Sequence, residues 1–248
     1  MKKAITFKKN LFTNIEIFVC GVFFGGVSFV SADTYIKMNL EENLKNEHFR
    51  YMTDIMFLND NYKNIEYMRG NAMKLITILL YFYIPFLMFV LYKYSKETSG
   101  YYSMLMVRVN SRKEFINTIR KKPFILSVSY VCGFLGYILA AECFNRGVVF
   151  TDKAFLNCII WGVSRIVVLV ALAEIFFLMY IKYSAGVSFF AGMLLFFMLI
   201  AADLNTDKIN IMLYHVGGYY IDCIVISFVI LVLVRVMQRN ISNSKYIR

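Results

Sequence analysis

Histidine is nearly missing from this chain, and most hydrolytic chemistry goes with it. Only two of the 248 residues are His. His48 and His215 stand far apart in segments that read as loops, so an H-E-x-x-H metal site is excluded. The serine–glycine and paired-aspartate arrangements of intramembrane proteases are absent as well, and Asp222 has no second membrane aspartate opposite it. With no nucleophile–base pair to assemble, the chain is not expected to be an enzyme, and no metal ligand set is expected. No G-x-x-x-x-G-K-[ST] occurs, so the chain cannot cradle ATP phosphates by that route. No C-x-x-C occurs either. The five cysteines, at 20, 132, 143, 158 and 223, are odd in number and cannot all pair. Cys143 and Cys158 could meet near one face in a disulfide, but buried free thiols packing as small apolar side chains are the expectation.

Charge is scarce too, at 17% of residues, against 59% hydrophobic residues and a mean hydropathy of +0.59. A soluble domain of this length has too little interior to hide so much apolar surface. The reading is an all-α, polytopic membrane protein forming one transmembrane domain over residues 1–248. A richness in Phe, Tyr, Ile, Lys and Asn hints at an AT-rich bacterial genome, and the expected location is a bacterial cytoplasmic membrane. The net charge of +11 does not call for nucleic acid, because basic residues of membrane proteins collect on cytoplasmic loops. Lys2, Lys3, Lys8 and Lys9 precede an apolar run from Leu11 to Ala32 that is too long for a signal peptide core, so a retained first helix is expected.

Six apolar stretches, near 15–32, 75–92, 124–143, 155–180, 187–202 and 219–236, approach or exceed the roughly 20 residues that cross a bilayer. The fifth is the shortest. With the N-terminus inside, seventeen of the 27 Lys and Arg fall in inner segments and nine in outer ones, with Arg165 inside a span. That bias favours both ends in the cytoplasm. The outer loop 33–71 is long for a connector. Leu40, Leu44, Tyr51, Met52, Ile55 and Met56 recur there near helical spacing among charged residues, which predicts a short amphipathic helix. Such a helix either gates a path or simply lies at the interface.

Within the spans, Pro85 should interrupt the second helix. Gly21, Gly25 and Gly26 in the first span, and Gly133 and Gly136 in the third, allow close helix approach, for packing or for a subunit interface. Glu142, Arg165 and Glu174 are charges inside the apolar runs, each costing about 2.5–3.5 kcal/mol at mid-depth unless compensated. Arg165 and Glu174, nine residues apart, sit on opposite faces of one helix and roughly 13 Å apart, so they cannot pair. Arg165 can extend toward Glu142, whereas Glu174 has no evident basic partner. Together the three either line a transport path or serve as a packing ion pair plus a lone carboxylate. Glu16 and Asp222 read as interfacial.

Between the second and third spans lies the most ordered motif. Glu97 is followed by Gly100 three residues on, an apolar turn at Leu105 and Met106, Arg108, and then Ser111-Arg112 and Glu114. It reads as a short amphipathic helix at the membrane surface, a turn at 109–111, and a second basic amphipathic segment 112–122 leading back at Pro123. This loop, 97–122, resembles that of ABC-2-type transporter permeases, with its E-x-x-G start, leucine-rich turn, Arg-Pro, Ser-Arg and acid. Val109 replaces the usual proline, and a customary lysine near the end is missing, with Arg120 close by. The resemblance implies a six-span permease of the type V exporter kind, whose coupling helix docks into a separate ATPase subunit. Glu97, Gly100, Leu105, Met106, Arg108, Arg112 and Glu114 would make that contact. ATP and Mg would then reside on the partner, with no cofactor on this chain. A second permease, identical or not, and membrane lipid would complete the assembly. Small permeases of this sort resemble those that export antimicrobial peptides or give immunity to them. Two rivals share the topology: a stand-alone bacteriocin-immunity or sensor protein needing no ATPase, and the substrate-binding membrane subunit of a vitamin importer. Basic amphipathic loops also bind anionic lipid unaided.

Overall fold

The computed structural model describes residues 2–39, 79–97, 112–146, 152–182, 185–205 and 220–243, and all of them are helical. We label the helices α1 (Lys2–Asn39), α2 (Ile84–Glu97), α3 (Arg112–Arg146), α4 (Asp152–Lys182), α5 (Ala185–Asn205) and α6 (Tyr220–Asn243), with a π-helical turn, Leu79–Tyr83, leading into α2. Each of the six apolar stretches falls on one of these elements, the second from Leu79 onward and the sixth from Tyr220 onward. Among the described residues, three windows are long and apolar enough to cross a membrane: Asn14–Thr34, Lys122–Phe144 and Cys158–Phe177. Shorter apolar stretches occupy Leu80–Val90, Gly186–Ala202 and Ile224–Val236. The expected amphipathic helix of the outer loop, from Leu40 on, lies outside the described residues.

Two helices run further than hydropathy alone suggested. Residues 33–39, expected in the outer loop, continue α1, because no glycine or proline interrupts 27–39. Thr34 keeps its hydroxyl inside the helix by donating to the Val30 carbonyl at 2.8 Å. Arg112–Lys122, expected as a separate surface segment, is the first third of α3, which passes through Pro123 without a break. Pro123 is buried, and its ring removes one hydrogen bond from the helix.

Contacts fix how the helices run. Gly21 lies against the backbone of Tyr130, Gly25 against Phe134 and Gly26 against the Tyr137 ring, so contacts on both helices advance together and α1 runs parallel to α3. A Cβ at Gly21, Gly25 or Gly133 would strike backbone of the facing helix, which is the close approach their sequence positions implied. Gly136 instead meets nothing within 4 Å and takes no part in it. Phe82 packs on Phe134 and Tyr130, and Phe86 on Tyr130, so α2 opposes α3. The α3–α4 pair is antiparallel across the Phe134–Trp161 stack. Gly192 against Phe176 closes the α4–α5 hairpin. Along α6, Ile230 and Leu231 pack with Ile166, Val170 and Ala171, and Arg235 meets Glu174, so α6 parallels α4. Successive helices therefore alternate in direction. Lys2, Glu97, Arg112, Lys182 and Asn243 gather toward one end of the bundle.

At the centre stands α4. Two thirds of its apolar window (67%) is buried, against 33% for α1 and 39% for α3. An aromatic core of Phe82, Tyr83, Phe86, Tyr130, Phe134, Trp161 and Phe196 packs beside it, with the Phe82 ring 5.0 Å from both Phe134 and Trp161. The outward surface is just as apolar, carrying exposed Phe18, Phe23, Phe190, Leu194, Phe228 and Leu233. Helices apolar on every side have the character of a membrane protein.

Candidate functional site

The site begins with a proline. Pro85 has no N–H, and its ring crowds the carbonyl of Tyr81 one turn earlier. The interruption expected there takes the form of the π turn Leu79–Tyr83, whose wider winding relieves that crowding. Its carbonyls need another donor, and α3 provides one. The Tyr130 hydroxyl donates to the Phe82 carbonyl at 2.9 Å and shares its proton with the Tyr81 carbonyl at 3.2 Å. Tyr83, the last residue of the turn, is fully buried and accepts a hydrogen bond from Nη1 of Arg165. Arg165 Nε points to the Ser164 hydroxyl at 3.4 Å, and that hydroxyl donates to the Trp161 carbonyl at 2.7 Å.

Arg165 is thus held at the middle of the bundle by a phenol and a hydroxyl, at the point where the π turn, α3 and α4 meet; Phe196 of α5 closes the cluster against the Tyr83 ring at 5.7 Å. The sequence had matched Arg165 with Glu142. The Phe134–Trp161 stack sets the α3–α4 register, and from it the two residues diverge by about 12 positions, roughly 18 Å of helix rise. Glu142 is fully buried nearer the α3–α4 connection, and Arg165 is bonded to the Tyr83 hydroxyl.

Glu174 corrects a second expectation. Its Oε1 lies 3.8 Å from Nη2 of Arg235, on α6, so a basic residue from another span does face it. Glu174 is 1% exposed and Arg235 41%. Arg165 and Glu174 do face different neighbours, α2 and α6, as a nine-residue spacing requires. Glu16 is exposed on α1, in keeping with an interfacial place.

Of the motif between the second and third spans, Glu97 ends α2, and Arg112 and Glu114 open α3. Gly100, Leu105, Met106 and Arg108 lie outside the described residues. Cys20, Cys132, Cys143 and Cys158 are free thiols, so the Cys143–Cys158 disulfide does not form. Cys158 is buried as expected, while Cys132 and Cys143 are exposed on α3. Among the described residues no cluster of His, Cys, Asp and Glu could hold a metal ion.

Tyr83, Tyr130, Ser164 and Arg235 are the members that reasoning from sequence missed. Arg235 left a usable signal. It stands eight residues before the end of α6, as Glu174 stands eight before the end of α4, in two helices of the same direction. The tyrosines left none, since 18 tyrosines are spread along the chain and only the fold selects two. Compared with known families, with characterised proteins and with solved structures, the chain matches none.

Proposed function

We propose that the chain is the membrane-spanning permease subunit of an ABC transporter, crossing the bacterial cytoplasmic membrane six times with both ends inside. It moves a peptide or another amphipathic substrate, is powered by an ATPase on a separate chain, and works beside a second permease. The observation that carries this reading is the shared end of the bundle. There α2 stops at Glu97 and α3 starts at Arg112, framing the permease-like motif. The first residue of α1 and the last of α6 point to the same end, where most of the Lys and Arg also fall. Alternating helix directions support this reading of the crossings. The π turn with α2, α5 at 21 residues and α6 at 24 residues approach or exceed the roughly 20 residues that a span requires.

Co-purification tests the proposal. Mild-detergent extraction from the native membrane should bring down a nucleotidase at low salt, and Leu105→Asp should release it. Truncating or charging a buried apolar anchor costs about 2 kcal/mol or more, roughly a thirtyfold loss of affinity. Arg112→Glu, at the rim, should weaken the complex in a salt-dependent way. A complex unaffected by Leu105→Asp removes this loop as the coupling element. A chain that never retains a nucleotidase is the stand-alone protein instead.

A further inference from the structure

The exposure pattern around Pro85 carries information beyond the bond that proline removes. Leu80 is 47% exposed and Met88 is 48% exposed, while Leu87 between them is fully buried. In an uninterrupted α-helix two turns take about 7 residues, so Leu87 would share the face of Leu80. Here eight residues separate the two outward side chains, because the π turn holds one residue more. That extra residue decides which side of α2 looks outward and which enters the aromatic core.

We infer that the π turn is a rotational joint: α2 exchanges between the π-register state and an α-register state turned by roughly 100° about its axis, and two side chains from other helices latch the first. Tyr130 of α3 is one latch, donating to the Phe82 and Tyr81 carbonyls. Arg165 of α4 is the other, bonded to the Tyr83 hydroxyl. Each latch is a single hydrogen-bonding side chain, so each can be released while the helix stays whole. Pro85 keeps the wide turn where it is, since its ring would crowd the Tyr81 carbonyl in the narrower winding. Below the joint, α2 runs as 14 unbroken residues to Glu97. Rotation at Tyr83 is therefore delivered at Glu97, where α2 ends, and a force applied there reaches Arg165 by the same helix. That this force comes from nucleotide hydrolysis rests on the transporter reading; the joint itself does not.

The test reads the orientation of α2 directly. A genetically encoded nitroxide replaces either Met88 or Leu80 in the full chain, leaving the five cysteines in place, and oxygen accessibility is measured in lipid nanodiscs. In the native sequence the two positions should be equally accessible. Tyr130→Phe and Tyr83→Phe each remove one oxygen. Combined, they should cost Met88 most of its accessibility while Leu80 keeps its own. Pro85→Ala restores an N–H for the Tyr81 carbonyl and should move Met88 the same way without touching either tyrosine, which keeps the test open if the double variant fails to fold. Equal accessibility of Met88 and Leu80 in both backgrounds overturns the joint. No nucleotide or partner enters the measurement, so the joint can fail while the transporter reading stands, and the reverse.

Discussion

Two charged side chains of α4, nine residues apart, meet opposite fates. Arg165, halfway along the helix, is wholly enclosed and is met by neutral groups: the Tyr83 phenol and the Ser164 hydroxyl. Glu174, two turns nearer the end at Lys182, is equally enclosed but is met by a cation whose side chain remains 41% exposed. Depth accounts for the difference. A residue near the bundle's end can borrow a long basic side chain that keeps its head in a wetter zone. At the centre, the guanidinium finds hydroxyl oxygens beside the aromatic core. The comparison separates a charge enclosed with its partners from one whose partner is half-exposed.

The largest effect should come from breaking the central site. Arg165→Ala empties the space of the largest fully buried side chain and leaves the Tyr83 hydroxyl without its donor. The cost should be about 3 kcal/mol or more, seen as a large loss of monodisperse protein in heated size-exclusion runs. Normal thermal stability of Arg165→Ala would show that the phenol–guanidinium contact does not hold the core. A smaller loss should follow Arg235→Gln. It takes the arginine from a carboxylate that stays buried, which costs about 1–3 kcal/mol at a half-open pair. Stability equal to that of the native chain would mean that Glu174 does not depend on Arg235.

The same contrast explains what sequence could and could not reveal. Six apolar stretches mark six helices because hydropathy reports the solvent a segment requires, whatever its neighbours. The opposite faces of Arg165 and Glu174 follow from 100° per residue alone. Pro85 announces an interruption, since a missing N–H is a local fact. Partners are not local. Tyr83 reaches Arg165 only because a π turn rotates it inward, and no spacing rule predicts the extra residue. Arg235, at the end of the sixth apolar stretch, comes beside Glu174 only through the parallel course of α4 and α6. The extension of α1 to Asn39 and of α3 back to Arg112 escaped hydropathy for a related reason: helices continue past the apolar zone wherever nothing stops them.

The smallest effect on stability, and the sharpest test of the comparison, should come from Glu174→Gln. The glutamine keeps the size of the side chain and removes its charge, so nothing ionised remains buried at that position. Arg235, already 41% exposed, turns its head outward to water or headgroups at little cost. The change in stability should stay under about 1 kcal/mol, the range of partly solvated ion pairs. It should also be smaller than the change produced by Arg235→Gln, although both variants delete the same pair. The asymmetry arises because one substitution strands a buried charge and the other strands an exposed one. Adding Glu174→Gln to Arg235→Gln should therefore recover most of the stability that Arg235→Gln alone loses. Thermal midpoints of the two single variants and the double variant, measured in one detergent, form a closed cycle. Equal losses from the two singles, with no recovery in the double, would mean that Glu174 and Arg235 act independently despite their 3.8 Å separation. If the cycle closes as expected, the proposed transport or substrate-stimulated ATPase activity can be read in Glu174→Gln without interference from folding. A fall in that activity in a fully stable variant assigns Glu174 to the transport path, and unchanged activity removes it.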